Sequence, residues 1–191
     1  SGGTLGGTGR IAGNDTRANT NMVLVKSGGI IAPGGTGIGT LTLDGVNIGG
    51  IGLASQVLNM ASGSKFSFRL AGNGTSADHV DFWNYANGDL LLSGGNIAVN
   101  LTLSGLGDGA SHTVTLFKFY SNSGTTAFSG ANLTTGLALG TVDPSISGTP
   151  TFNYYSDRID LTYFSVPEPG TWVLLALSGT FFMVMRRRRQ D

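Results

Sequence analysis

Short apolar stretches that alternate with a period of two, each cut off by glycine, leave this chain little room for anything but β-structure. In "KFSFRL", Phe66, Phe68 and Leu70 fall on one side while Lys65, Ser67 and Arg69 fall on the other. "NIAVNLTLS" sets Ile97, Val99, Leu101 and Leu103 against Ala98, Asn100, Thr102 and Ser104. "TLTLDGV", "QVLNM" and "RIDLTYF" keep the same spacing. Successive side chains on a strand point to opposite faces, whereas a helix would repeat every three to four residues. No amphipathic helix is predicted before Thr171. "HTVTLFKFY" departs from the alternation, with Val114 and Leu116 on one face and then Phe117 and Phe119 on the other. It predicts either a strand covered on both sides or one that contains a bulge.

The corners between these strands recur. "VKSGGII", "MASGSKF" and "LLSGGNI" each join a strand end to a new strand through Ser-Gly, at Ser27, Ser62 and Ser93, after a first "SGG" at Ser1. Glycine at such a corner permits the positive φ that a tight turn requires. Glycine supplies 32 of the 191 residues, with no collagen-like triplet. Strands of four to seven residues between glycine corners fit a β-solenoid, in which each coil stacks its apolar residues on the one before. An antiparallel β-sandwich or jelly roll carries the same alternation and stands as the alternative.

The formal charge is zero, but unevenly spread. Four arginines sit at the C-terminus, leaving seven basic and nine acidic residues in 1–165. Such a body offers no electrostatic footprint for nucleic acid. Cysteine is absent, which excludes disulfides, thiolate metal sites and a cysteine nucleophile. The opening "SGGTLGGTG" has no initiator Met, basic n-region or apolar h-region. The opening also starts partway through a repeat, so the chain is expected to continue upstream of Ser1.

The end of the chain has a different character. "VPEPGTWVLLALSGTFFMVMRRRRQD" orders a Pro-Glu-Pro triplet, an apolar run and a block of arginines. Thr171 to Met185 holds fifteen residues without a charge. As a helix it would be roughly 22 Å long, against a hydrocarbon core of ~30 Å. Val173, Leu174, Leu175, Leu177, Phe181, Phe182 and Val184 each favour insertion by about 0.3–0.6 kcal/mol. Trp172 suits one interface, and the arginine stems extend the span by snorkelling. Arg186, Arg187, Arg188 and Arg189 must stay outside the core, since each would cost about 2.5–3.5 kcal/mol or more there. The positive-inside bias then puts the C-terminus in the cytoplasm and the body across the membrane. Pro167 and Pro169 cannot donate backbone hydrogen bonds, so Pro167-Glu168-Pro169 reads as a stiff, unpaired tether. Glu168 is the only glutamate in the chain.

This order closely resembles the PEP-CTERM sorting signal of bacterial exported proteins. The resemblance implies an exosortase, a membrane-embedded cysteine transpeptidase, as partner. Pro167, Glu168 and Pro169 would be its recognition residues, 171–185 the membrane anchor in the lipid bilayer, and Arg186 to Arg189 the topology stop. It also implies a chain held transiently in the inner membrane, then delivered to the cell surface or an extracellular matrix, with polysaccharide as a further partner. The body resembles the passenger-associated repeat of autotransporter-type exported proteins, through "SGGTLGGTGRIAG" and "VLVKSGGIIAPGGTGIGTLTLDG". That likeness implies a right-handed parallel β-helix over 1–165, with 166–191 as the sorting signal. The function so implied is structural or adhesive and non-enzymatic; a carbohydrate-binding or carbohydrate-active domain on the same anchor is the alternative.

Candidate chemistry within the body is sparse. "GTGRIA" fits a dinucleotide-binding turn only formally, because no helix pattern follows it. "APGGTGIGT" lacks the Lys-Ser/Thr pair of a phosphate-binding loop and reads as a turn. Asp78, His79 and Asp81 form the densest cluster of potential metal ligands, with Asp89 nearby. Their spacing matches neither an EF-hand nor the nonapeptide calcium repeat, so turn chemistry is preferred and no metal or cofactor is expected. His112 has Ser111 beside it and Asp108 in the preceding turn, but no G-x-S-x-G elbow exists. Trp83, Tyr85, Tyr154 and Tyr155 would make a sugar-binding shelf if exposed; packing in the core or stacking between coils is the preferred reading.

Overall fold

The computed structural model describes residues 2–12, 21–44, 56–85, 90–92, 95–121 and 136–167. Within them the secondary structure consists of fourteen strands without a helix, in three sheets. The first sheet runs β1 (Thr4–Gly7), β4 (Ile30–Pro33), β7 (Lys65–Ala71), β10 (Ile97–Ser104), β12 (Leu137–Val142). The second runs β2 (Gly9–Ala12), β5 (Thr40–Asp44), β8 (His79–Tyr85), β11 (Ser111–Ser121), β14 (Arg158–Ser165), β13 (Ile146–Tyr154). The third holds β3 (Asn21–Val25), β6 (Gln56–Met60) and β9 (Leu90–Leu92). The described residues adopt the all-β class expected of the body.

The chain visits the three sheets in rotation, and each strand through β8 pairs in parallel with the third strand after it. Ile30 lies opposite Lys65, and Lys65 opposite Ala98; Leu41 lies opposite Val80, and Val80 opposite Phe117. Among the named strands, antiparallel pairing is confined to β11 with β14 and β14 with β13. The pervasive antiparallel pairing of a sandwich or jelly roll is not seen.

The alternation places the core. Phe66, Phe68 and Leu70 of β7 are fully buried, as are Ile97 and Val99 of β10 and Val80 and Phe82 of β8. The first and second sheets meet through aromatic rings. Phe117 packs edge-on against Phe66 at 4.9 Å and against Phe68 at 5.2 Å; within the second sheet, Phe82 and Phe119 stack at 4.9 Å. Such geometry adds to plain area burial.

The irregular stretch at 112–120 proves to be a bulge. Thr115 pairs with Asp160 and Phe117 with Ile159, so Leu116 is the extra residue in β11. That residue resets the alternation. Val114 before it, Leu116 itself, and Phe117 and Phe119 after it are all buried.

The glycine-rich stretches form corners. Gly7 to Ala12 turns from β1 into β2, and 34–39 turns from β4 into β5, so neither serves as a phosphate cradle opening a helix. Gly34 has φ +82° and donates its N–H to Gly7 O at 3.0 Å, stacking one corner on the previous one. Gly28 N–H bonds Gly63 O at 3.0 Å in the same way. The apolar run 171–185, with Trp172, Leu174, Leu175, Leu177, Phe181, Phe182 and Val184, lies outside the described residues. So do Glu168, Pro169 and Arg186 to Arg189. Among the described residues no helix is long and apolar enough to cross a membrane.

Candidate functional site

The body meets the Pro-Glu-Pro segment at the end of β14, and that junction is packed. Val166 N–H donates to Ser145 O at 2.8 Å and Ser165 N–H to Ala110 O at 3.1 Å. Backbone pairing therefore reaches Val166, the residue before the triplet, and Glu168 and Pro169 of the expected tether lie outside the described residues. The loop 105–110 approaches so closely that a Cβ on Gly107 would lie 2.4 Å from Val166 O. A Cβ on Gly109 would lie 3.0 Å from Pro167 Cγ. Val166 and Pro167 are both half-buried.

Beneath this seat lies a polar cluster that spacing alone does not reveal. Ser165 is fully buried, and its hydroxyl donates to Asp108 Oδ1 at 2.8 Å. Asp108 N–H donates back to Ser165 Oγ at 3.2 Å. His112 Nε2 lies 2.8 Å from Asp108 Oδ1 and 3.3 Å from Ser165 Oγ. These bonds, that of His112 foremost and then that of Ser165, hold the Asp108 carboxyl below its ordinary range. The His112 ring lies 5.4 Å from that of Tyr163, whose hydroxyl donates to Ala71 O at 2.7 Å. Burial, with the Asp108 charge second, pushes the Tyr163 phenol up to about 12.

Ser, His and Asp are thus in contact, but not wired for nucleophilic catalysis. In a catalytic triad the carboxylate holds one ring nitrogen and the serine faces the other. Here both converge on Nε2, and the Nδ1 side is closed by the Gly74 backbone. Ser165 gives its proton to the carboxylate and is shut off from solvent.

A second wall of the seat is the turn after β12. Asp143 accepts from Ser145 N–H at 2.9 Å and from Leu103 N–H at 3.1 Å. The Ser145 N–H foremost, opposed by burial and helped by the Leu103 N–H, holds the Asp143 carboxyl below its ordinary range. The turn is held rigidly enough to aim Ser145 O at Val166 N–H.

The candidate metal ligands separate into different roles. Asp78 precedes β8, is buried, and accepts from Gly39 N–H, Arg69 N–H and Arg69 Nε at 2.9, 2.9 and 3.2 Å. It staples the 34–39 corner to β7. Asp81 lies within β8 with Thr42 and Lys118 opposite it, and His79 Nε2 is 3.7 Å from its Oδ1. That Oδ1 is buried without a hydrogen-bond partner, and desolvation raises the carboxyl's proton affinity despite the nearby His79 and Lys118. Among the described residues no group of three or more His, Asp or Glu is placed to hold a metal ion. Asp89 lies outside them.

The aromatic residues do not all enter the core. Trp83 is 39% exposed and stacks on Tyr120 at 4.3 Å, with Lys118 Nζ 4.9 Å from the Tyr120 ring. Tyr155 is 45% exposed beneath the Arg158 guanidinium. Trp83 thus stacks on the neighbouring strand and stays out of the core, while Tyr155 lies past the end of β13. Tyr154 is half-buried against the core.

Residues 165–189 match the PEP-CTERM protein-sorting motif. No curated protein and no solved structure is detectably similar to the chain. The motif implies an exosortase substrate, with transit of the membrane and export to the cell surface.

Proposed function

We propose that this chain is a non-enzymatic structural or adhesive protein of the cell envelope, cut by an exosortase-like transpeptidase at Pro167-Glu168-Pro169. The carrying observation is a sorting motif at 165–189 directly joined to a body of parallel, register-matched strands. The body is read as a parallel β-helix, each coil laying one strand on each of three sheets and burying its apolar face on the coil before. Rotation of the chain through the sheets supports that reading. In the tail, Trp172, Leu174, Leu175, Leu177, Phe181, Phe182 and Val184 anchor the chain in lipid. Arg186, Arg187, Arg188 and Arg189 hold the C-terminus in the cytoplasm. Replacing Pro167, Glu168 and Pro169 together with alanine should leave the full-length chain uncut in the inner membrane. Normal maturation of that variant would sink the reading.

The exposed Trp83–Tyr120 stack favours a second reading, a carbohydrate-binding surface on the same exported body. Flat aromatic faces flanked by Lys118 suit the apolar face and hydroxyls of a sugar ring. A glycan array probed with the wild type and with Trp83→Ala discriminates: retention lost in the variant supports it. Turnover of a polysaccharide, abolished by Asp81→Asn, would instead require an enzyme.

A further inference from the structure

The junction described above does more than end the fold. We propose that loop 105–110 and the turn at Ser145 form a seat that grips Val166 and Pro167, withholding every peptide bond before Pro167 from a processing protease. The inference rests on the sorting reading for its purpose, but the seat itself stands on geometry.

Three independent contacts make the seat. Val166 N–H is spent on Ser145 O, so a protease cannot pair with that amide without breaking a hydrogen bond. Gly107 lies against the Val166 carbonyl so closely that any side chain there would collide with it. Below them, the Asp108–Ser165–His112 cluster fixes the residue before Val166 from the inside. Proteases bind substrates as extended strands, using backbone groups that must be free. At Ser165 and Val166 the N–H groups are occupied, by Ala110 O and Ser145 O. The body thereby defines the earliest point at which the chain can be threaded into an active site, and that point coincides with the start of the recognised triplet. Asp108, Gly107 and His112 act as positioning residues; none touches a reacting atom.

Amide hydrogen exchange on the full-length chain in detergent tests the seat, and the mature C-terminal mass from exosortase-bearing cells tests its consequence. In the wild type, Val166 N–H should be protected and the mature chain should end at or beyond Pro167. Asp108→Ala, which removes charge-assisted bonds, and Gly107→Ala, which pushes Val166 away, should each speed Val166 exchange by about tenfold or more. Both should also add ends at Ser165 or Val166. Asp157→Ala, which removes a half-exposed acid paired with Arg158 at the other end of β14, should change neither. An unprotected Val166 in the wild type, or exchange unmoved by both variants, overturns the seat. Mature ends before Pro167 in the wild type, or ends unchanged in variants whose exchange has risen, overturn its role in choosing the cut. A wild-type chain never cut at all defeats the sorting reading instead, while the exchange result still decides whether the seat exists.

Discussion

At the scale of single residues, Asp44, Asp78 and Asp160 each have an arginine partner, whereas Asp81 is left with an unsatisfied oxygen. Arg69 serves Asp78, Arg10 pairs with the buried Asp44, and Thr115 and Arg158 serve Asp160. Asp81 has one buried oxygen without a hydrogen bond, and its pKa is raised above the ordinary 3.8. A carboxyl that binds its proton more tightly when folded makes the native state the more protonated one in that window. Stability from this group therefore falls as pH rises from about the ordinary value through the raised one. Asp81→Asn should stabilise the protein at pH 7, and the gain should vanish near pH 3. Urea unfolding at both pH values checks it; a variant no more stable than wild type at pH 7 would contradict the argument. The sequence marked Asp78, His79 and Asp81 as a cluster but carried no sign that they face different surroundings. Asp78 turns toward Arg69 because it precedes the strand, a matter of local backbone path that residue identity does not encode. Of the Asp108–His112–Ser165 contact, the first two stood close in sequence, but Ser165 was hidden, since it reaches them only through pairing of β14 with β11.

At the scale of elements, the corners and the bulge bear the geometric constraint. Gly34 and Gly95 both have positive φ, at +82° and +62°, but differ in surroundings. A Cβ on Gly34 would lie 2.2 Å from Asp78 Oδ1 and from Gly37 O, whereas one on Gly95 meets nothing within 4 Å. Gly95→Ala should cost only the left-handed backbone penalty of about 1–2 kcal/mol. Gly34→Ala should cost clearly more, because it also prises Asp78 from the corner. Equal losses in denaturant midpoint at constant slope would show that the close contacts carry no weight. In β11, Phe117 joins the two sheets by packing on Phe66 and Phe68. Phe117→Ala should destabilise by about 3–5 kcal/mol, measurable by thermal or urea unfolding. The strands were legible from alternation, and the bulge from the point where alternation failed. Their parallel pairing was not, because a period of two looks the same in either direction; only the rotation through three sheets decides it.

At the scale of the whole molecule, stability should be distributed along the stacking direction and not shared evenly. β7 lies between β4 and β10, with Phe66, Phe68 and Leu70 fully buried, and β8 lies between β5 and β11. β1, β2 and β3 stand last in their sheets, each with one described neighbour, and Leu24 of β3 is half exposed. Where units contact only their neighbours, a unit with two interfaces opens less often than a unit with one. Amide exchange should therefore be slowest in β7 and β8 and should quicken toward β1–β3. β14 should remain slow, because β13 covers its outer edge and Val166 continues its pairing on the turn at Ser145. The gradient should persist at constant slope when denaturant is added below the unfolding midpoint, because the opening is local. Protection in β1–β3 equal to that in β7 would contradict it, since edge strands can match an interior one only if their free backbone groups pair with further chain. The seat at Val166 belongs to the protected side of this gradient, so the segment handed to the membrane enzyme leaves the body from a well-anchored strand.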